Sequence, residues 1–290
     1  MGRPELKNPI RIVTDSSCDL PQEVLARLRI EVVPLLVHFG DEAFWDGELP
    51  PEAFWEKAAG PHFPQTSQPP VGVFEENFER LLEGGRKVLC LTLTGVHSGT
   101  FNSACLAAQR FGEAVRVFDS QSLSLGLGLQ VVEAARAAEA GRSMQEILTL
   151  LQGLRSRVHL TVVLDTLESI RRGGRADAFI AVADRMTQLL NIKAIINFVE
   201  GRVQLLSAAR SFQGGLGRVL NLVDQFGPLE HLAVVHARHL DKAEQMVNRL
   251  AGRTGFTRER IWLRETGAVL ASHAGAGAVG VLAIPERRAV

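Results

Sequence analysis

The chain has 290 residues, 46% of them hydrophobic and 22% charged, a balance that argues for a folded protein and against disorder. Lys plus Arg equals Asp plus Glu at 32 each, so no basic excess points to nucleic acid or to an anionic membrane surface. Met1 to Leu20 lacks the apolar stretch of a secretion signal, no run approaches the roughly 18 apolar residues of a membrane span, and Cys18, Cys90 and Cys105 are too few for a disulfide framework. The expectation is a cytoplasmic protein with at most transient membrane contact.

The length suits two units of about 100–200 residues each. Ile10–Val13 is a short β-branched run, followed at once by the turn formers Thr14-Asp15-Ser16-Ser17. Asp19 fits a helix N-cap and Pro21 the first turn of a helix running to Leu28. A second strand is expected at Glu31–His38. The β-turn-α-β rhythm then continues, as in a parallel sheet. A helix is expected over Pro69–Glu83, a strand over Val88–Leu93, a helix over Ser98–Arg110 and a strand over Val115–Phe118. Another helix reaches Ala140 and stops at Gly141, and Ser143 caps the next, to about Ser156.

After His159 the texture changes. A strand at Leu160–Leu164 precedes a short helix, Thr166–Arg171, and a helical stretch, Asp177–Leu189. Ile192–Val199 and Arg202–Ala208 flank Glu200-Gly201, a hairpin signal. A helix over about Gly215–Gln225, a strand at Leu232–His236, a helix at Asp241–Ala251 and a strand at Ile261–Glu265 follow. The tail, Ala268–Ile284, is rich in Gly and Ala. The expected fold is therefore α/β in two units, 1–158 and 159–290. The first is a doubly wound, mostly parallel sheet; the second is a mixed sheet with helices.

In open parallel sheets, ligands sit beyond the carboxyl ends of the strands. Three such ends carry dense hydroxyls: Thr14–Ser17, Thr92–Thr100 and Asp119–Ser122, with a fourth polar loop at Gln65–Pro69. Together they suit an anion or a polar head group, although each Ser, Thr or Asp also suits a cap. Gly275-Ala276-Gly277-Ala278-Val279-Gly280 matches GxGxxG in letters. Too little chain follows for the crossover helix and ribose-binding acid of a dinucleotide site. His231, His236 and His239 lack the spacing of a known metal motif, so no metal or cofactor is expected. Ser98 with His97 or His273 would suit a hydrolase, but Gly95–Gly99 is not the G-x-S-x-G elbow.

Taken in order, Ile12-Val13-Thr14-Asp15-Ser16-Ser17, Thr66-Ser67-Gln68-Pro69, Ser98-Gly99-Thr100 with Asn102-Ser103-Ala104, Asp119-Ser120, Arg172-Gly173-Gly174-Arg175 and His273–Ala278 resemble the DegV family over nearly the whole chain. The resemblance implies a bacterial fatty-acid-binding protein, not an enzyme, holding one acyl chain in a tunnel between two α/β domains. It implies that the carboxylate is presented to a fatty acid kinase, which makes acyl phosphate for phospholipid synthesis. It further implies Thr66, Ser98 and His273 as carboxylate ligands. Arg210 takes the place of a basic residue that contacts the kinase. His97, Gly99 and Thr100 are additional candidates for the head group. His97 stands where the family usually has Ser, and Gly-Ala-Gly follows His273 in place of Gly-Pro-Gly.

The chemistry is compatible. Hydroxyls and an imidazole donate to a carboxylate, which is costly to bury unpaired. Aliphatic helices and segments containing Phe74, Phe78, Phe101 and Phe111 offer apolar surface for a tail of the C16–C18 class, although core packing explains any one of these Phe residues as well. The rival readings are an esterase using Ser98 and His273, and a regulatory module for another small anion. A monomer is expected.

Overall fold

The structure is a computed structural model that describes residues 9–172 and 192–287. The expected helix Asp177–Leu189, and Gly173 to Arg175 of the quoted motif, lie outside the described residues.

The first unit is built on a four-stranded, wholly parallel sheet in the order β2-β1-β6-β7, from β1 (Ile10–Asp15), β2 (Glu31–Val33), β6 (Lys87–Thr92) and β7 (Val115–Asp119). Its central strands, β1 and β6, are largely buried on both faces, which is why they read as near-continuous apolar runs. Ile10, Ile12, Leu89 and Leu91 face α1 (Gln22–Arg27), α5 (Leu125–Glu139) and α6 (Met144–Arg155). Val13, Val88 and Cys90 face α3 (Val71–Leu82) and α4 (Thr100–Gln109), packing on Phe74 and Phe78. The doubly wound arrangement follows from this alternation. Ser143 caps α6 as expected, in a reciprocal pair with Glu146.

Two local expectations are corrected. The single strand Glu31–His38 is split at Pro34, which has no N–H to continue a ladder. β2 stays in the parallel sheet. The next piece, β3 (Leu36–Phe39), leaves for a small antiparallel sheet in the order β4-β3-β5, with β4 (Glu42–Trp45) and β5 (Gln65–Ser67). Between β4 and β5 lies α2 (Pro51–Ala58). Nor does Asp19 cap α1. Pro21 holds the N-cap position, and Asp19 sits in the left-handed region at φ 51° after a 3-10 turn, Ser16–Cys18.

The second unit is a six-stranded sheet in the order β10-β9-β8-β13-β11-β12. Its strands are β8 (His159–Leu164), β9 (Lys193–Val199), β10 (Arg202–Ala209), β11 (Leu229–His236), β12 (Trp262–Glu265) and β13 (Val279–Pro285). Neighbours are antiparallel except β11 and β12, so the sheet is mixed. Glu200 and Gly201 both have positive φ, 49° and 77°, the geometry of a tight hairpin turn. A short α7 (Glu168–Arg172) follows β8. One face of the sheet packs Val163, Ile195 and Val281 on Leu216 and Leu220 of α8 (Phe212–Asp224) and on Met246 and Leu250 of α9 (Leu240–Thr254). The other face turns toward the first unit, where Leu160, Val235 and Leu282 meet Leu125, Leu129 and Leu154.

α5 thus lies between two sheets. Leu127 and Val131 serve the parallel one, while Leu125 and Leu129 serve the mixed one. A helix sandwiched in this way is apolar all round, and every residue from Leu125 to Val132 is buried. The glycine-rich tail becomes α10 (Ala268–Ala274), a turn through Gly275 and Gly277, and β13, the strand between β8 and β11. Its GxGxxG letters therefore lead into a strand, opposite to the strand-turn-helix order of a dinucleotide site.

Candidate functional site

A cavity of about 140 Å³ lies between the two units. Its floor is the inward face of the mixed sheet: Leu160, Val162 and Leu164 of β8, Ile196 and Phe198 of β9, and Gly280 of β13. Leu35, Leu93 and Leu123 close it from the first unit, and Val269 and Leu270 of α10 from the side. Thr66, Thr94, His97, Ser98 and His273 add polar groups to this apolar chamber.

Three segments distant in sequence bring those groups together. Thr66 is the middle residue of β5, held in register with Val37 of β3. His273 sits in the last turn of α10, and its Nε2 is 2.8 Å from Thr66 Oγ1. Ser98 lies in the loop from β6 to α4. Its hydroxyl is 2.8 Å from Thr100 Oγ1 and accepts from the Thr100 N–H at 3.2 Å. A Cβ on Gly99 would come within 2.8 Å of the Gln68 carboxamide, so a glycine there lets the polar loop after β5 pack directly on the Ser-Gly-Thr turn.

His97 and Thr94 tie the same loop to the second unit. The Val203 N–H donates to His97 Nε2 at 3.3 Å, and the Thr94 hydroxyl donates to the Gly201 carbonyl at 3.0 Å. An imidazole accepting at Nε2 is neutral, with its proton on Nδ1.

Of the residues singled out in the sequence, Thr66, His97, Ser98 and His273 line the cavity. Gly99 and Thr100 shape the loop without lining it; Thr100 is fully buried. Arg210 is exposed just beyond β10, outside the cavity lining. Phe74 and Phe78 fill the core beneath α3 and α4, with Phe111 packed against them; the phenylalanine of the cavity wall is Phe198. Thr100 engages the Ser98 hydroxyl, and Thr66 engages His273 Nε2. Among the described residues, no group of three or more His, Cys, Asp or Glu is placed to hold a metal. Nor is any helix among them long and apolar enough to cross a membrane.

The other hydroxyl-rich strand ends hold the walls in place. Asp15 accepts from the N–H and hydroxyl of Ser17 and from the Leu93 N–H at 2.7 Å, while Ser16 Oγ accepts from the Leu35 N–H at 3.1 Å. Leu93 and Leu35 both line the cavity, so this loop positions its apolar wall. Asp119 accepts from the Gly95 and Gln121 N–H groups. Burial pushes the Asp15 carboxyl up to about 6, against the lowering effect of its hydrogen bonds.

Sequence reasoning missed Asp19 and Asp46. Ser124 and Thr266, both in the cavity wall, donate their hydroxyls to Asp19 Oδ2, and the Gly267 N–H donates to Oδ1 at 2.9 Å. The Val269 N–H reaches Asp46 Oδ1 at 3.4 Å. No spacing pattern joins residues so far apart. In the sequence Asp19 is accounted for as a helix cap, so nothing there marked it for the cavity wall.

The chain is similar to known proteins in sequence and in fold. A sequence model described as an uncharacterised protein of the DegV family matches residues 9–286. A DegV domain-containing protein of Deinococcus radiodurans is 35% identical over 288 residues, 95% of this chain and 98% of its own. A DegV family protein from Thermus thermophilus, described for its fatty acid binding, superposes with a TM-score of 0.87 at 33% identity, covering 96% of this chain and 100% of its own. A stearic-acid-binding protein of Eubacterium ventriosum gives 0.85 at 25% identity, over 95% and 98% of the two chains.

Proposed function

Because this chain belongs to the DegV family, we propose that it binds one long-chain fatty acid in the cavity between its two α/β units, 1–158 and 159–290, with the carboxylate held by Thr66, Ser98 and His273. One observation carries the reading: an apolar chamber whose few polar side chains converge from β5, the Thr94–Ser98 loop and α10. Such a chamber suits a molecule with one ionised end and a long hydrocarbon remainder. At about 0.8 kcal/mol per buried methylene, a tail of about C16–C18 length contributes on the order of 10 kcal/mol, from which the costs of association and ordering are subtracted. Hydroxyl and imidazole donors offset the desolvation of the head. His97, Gly99 and Thr100 set the shape of the head-group loop.

In this reading the protein is a carrier and not an enzyme. Ser98, already engaged by Thr100, orients a carboxylate and breaks no bond. A cytoplasmic monomer presents that carboxylate to a fatty acid kinase, which forms acyl phosphate for phospholipid synthesis, and the exposed Arg210 beyond β10 contacts the kinase. No cofactor takes part.

Native and denaturing mass spectrometry of protein purified without added lipid tests the proposal. The expected result is an excess mass, released on denaturation, that matches a fatty acid. Thr66→Ala, Ser98→Ala and His273→Ala should each weaken binding of stearic acid about tenfold or more, the loss of one charge-assisted hydrogen bond. A polypeptide that stays bare after incubation with stearic acid refutes the proposal, and ester turnover that depends on Ser98 would establish the hydrolase instead.

A further inference from the structure

α10 carries His273, yet it has no cap of its own. Its N-cap residue is Gly267, which has no side chain, and the helix is seven residues long. The amides of its first turn are met by carboxylates from far away in the chain. Asp19 Oδ1 accepts from the Gly267 N–H, and Asp46 accepts from the Val269 N–H and the Ala268 N–H. Carboxylates at a helix N-terminus satisfy otherwise orphaned donors and oppose the helix dipole. Asp19 also accepts from Ser124 at the start of α5 and from Thr266 just before α10. A single buried carboxylate therefore joins the 3-10 turn after β1, the head of the helix between the sheets, and the head of the helix that ends at His273.

The arrangement is costly. Burial raises the carboxyls of both Asp19 and Asp46, the Asp46 charge raises Asp19 a little further, and no basic side chain is ion-paired with either among the described residues. Stability alone would favour an uncharged cap. We propose that Asp19, assisted by Asp46, is a positioning residue for the head-group site: it seats α10 so that His273 meets Thr66 across the cavity. The proposal rests on the fatty-acid reading for its ligand, and on hydrogen bonding alone for its geometry.

The test compares Asp19→Asn with Asp46→Asn as a milder second variant and Asp15→Asn as a control. Asp15 is also buried, but its bonds run to Ser17 and Leu93 and none reaches α10. Three quantities are measured on the full chain: affinity for stearic acid, amide hydrogen exchange over Ala268–Ala274, and the ¹⁵N signals of the His273 ring without ligand. In Asp19→Asn, affinity should fall about tenfold, α10 amides should exchange about tenfold faster, and the His273 signals should shift. Asp46→Asn should move all three in the same direction by less, and Asp15→Asn should leave the exchange and the ring signals unchanged. The proposal is overturned if α10 exchange and the His273 signals in Asp19→Asn match the wild type, or if Asp15→Asn reproduces the changes in α10 exchange and in the His273 signals. If the wild type takes up no stearic acid, the carrier reading fails, while exchange and ring signals still decide the role of Asp19.

Discussion

At the scale of single residues, the molecule keeps carboxylates where burial is unfavourable to them. Asp15 and Asp19 both rise from 3.8 to about 6, with desolvation outweighing three hydrogen bonds at each. A carboxyl whose pKa is higher in the folded state binds its proton more tightly there. Its contribution to stability is therefore complete below the unfolded value of 3.8 and is lost as pH rises through about 6. His159, His231 and His236, partly or fully buried, act oppositely: burial lowers their values, so their contribution holds above 6.5 and fades as pH falls. Comparing wild type with Asp19→Asn cancels the histidines. As pH drops from about 7.5 to 4.5, the wild type should gain on the variant by about 2 kcal/mol in urea unfolding. A difference that does not move with pH would mean that Asp19 is ordinary in its acidity.

At the scale of elements, legibility depended on length and on burial of both faces. β1 and β6 stood out because both of their faces are apolar, and the β9–β10 hairpin because Glu200-Gly201 announces its turn. The strands β3, β4 and β5 are three or four residues long, too short for a period-2 pattern to separate from loop; Gly40-Asp41 between Phe39 and Glu42 was the remaining clue. The residues proposed for the head group were legible from hydroxyls at strand ends and from family resemblance. The cavity proposed for the tail was not, because its walls depend on register across six strands. Gly280 shows why. It pairs with Val162 on one side and Val235 on the other, and the missing side chain leaves a dip in the cavity floor between two valines. A Cβ there would stand 2.9 Å from Val235 Cγ1 and 3.2 Å from Val162 Cγ2. Gly280→Val should therefore shift the bound acyl population toward shorter chains, read by mass spectrometry on protein whose circular dichroism is unchanged. An identical chain-length profile would show that the tail runs elsewhere.

At the scale of the whole molecule, a ligand between the units touches both and should hold them together. A fatty acid at about 100 times its dissociation constant adds roughly 2.7 kcal/mol to unfolding. The melting temperature should rise with stearic acid concentration, and the rise should shrink in Thr66→Ala at equal concentration. A melting temperature indifferent to the ligand would place binding outside this interface.

The helix α5 has one more implication. Leu125 and Leu129 face a sheet formed wholly by chain that comes after them. During synthesis, that greasy ridge stays uncovered until β8, β11 and β13 have been made.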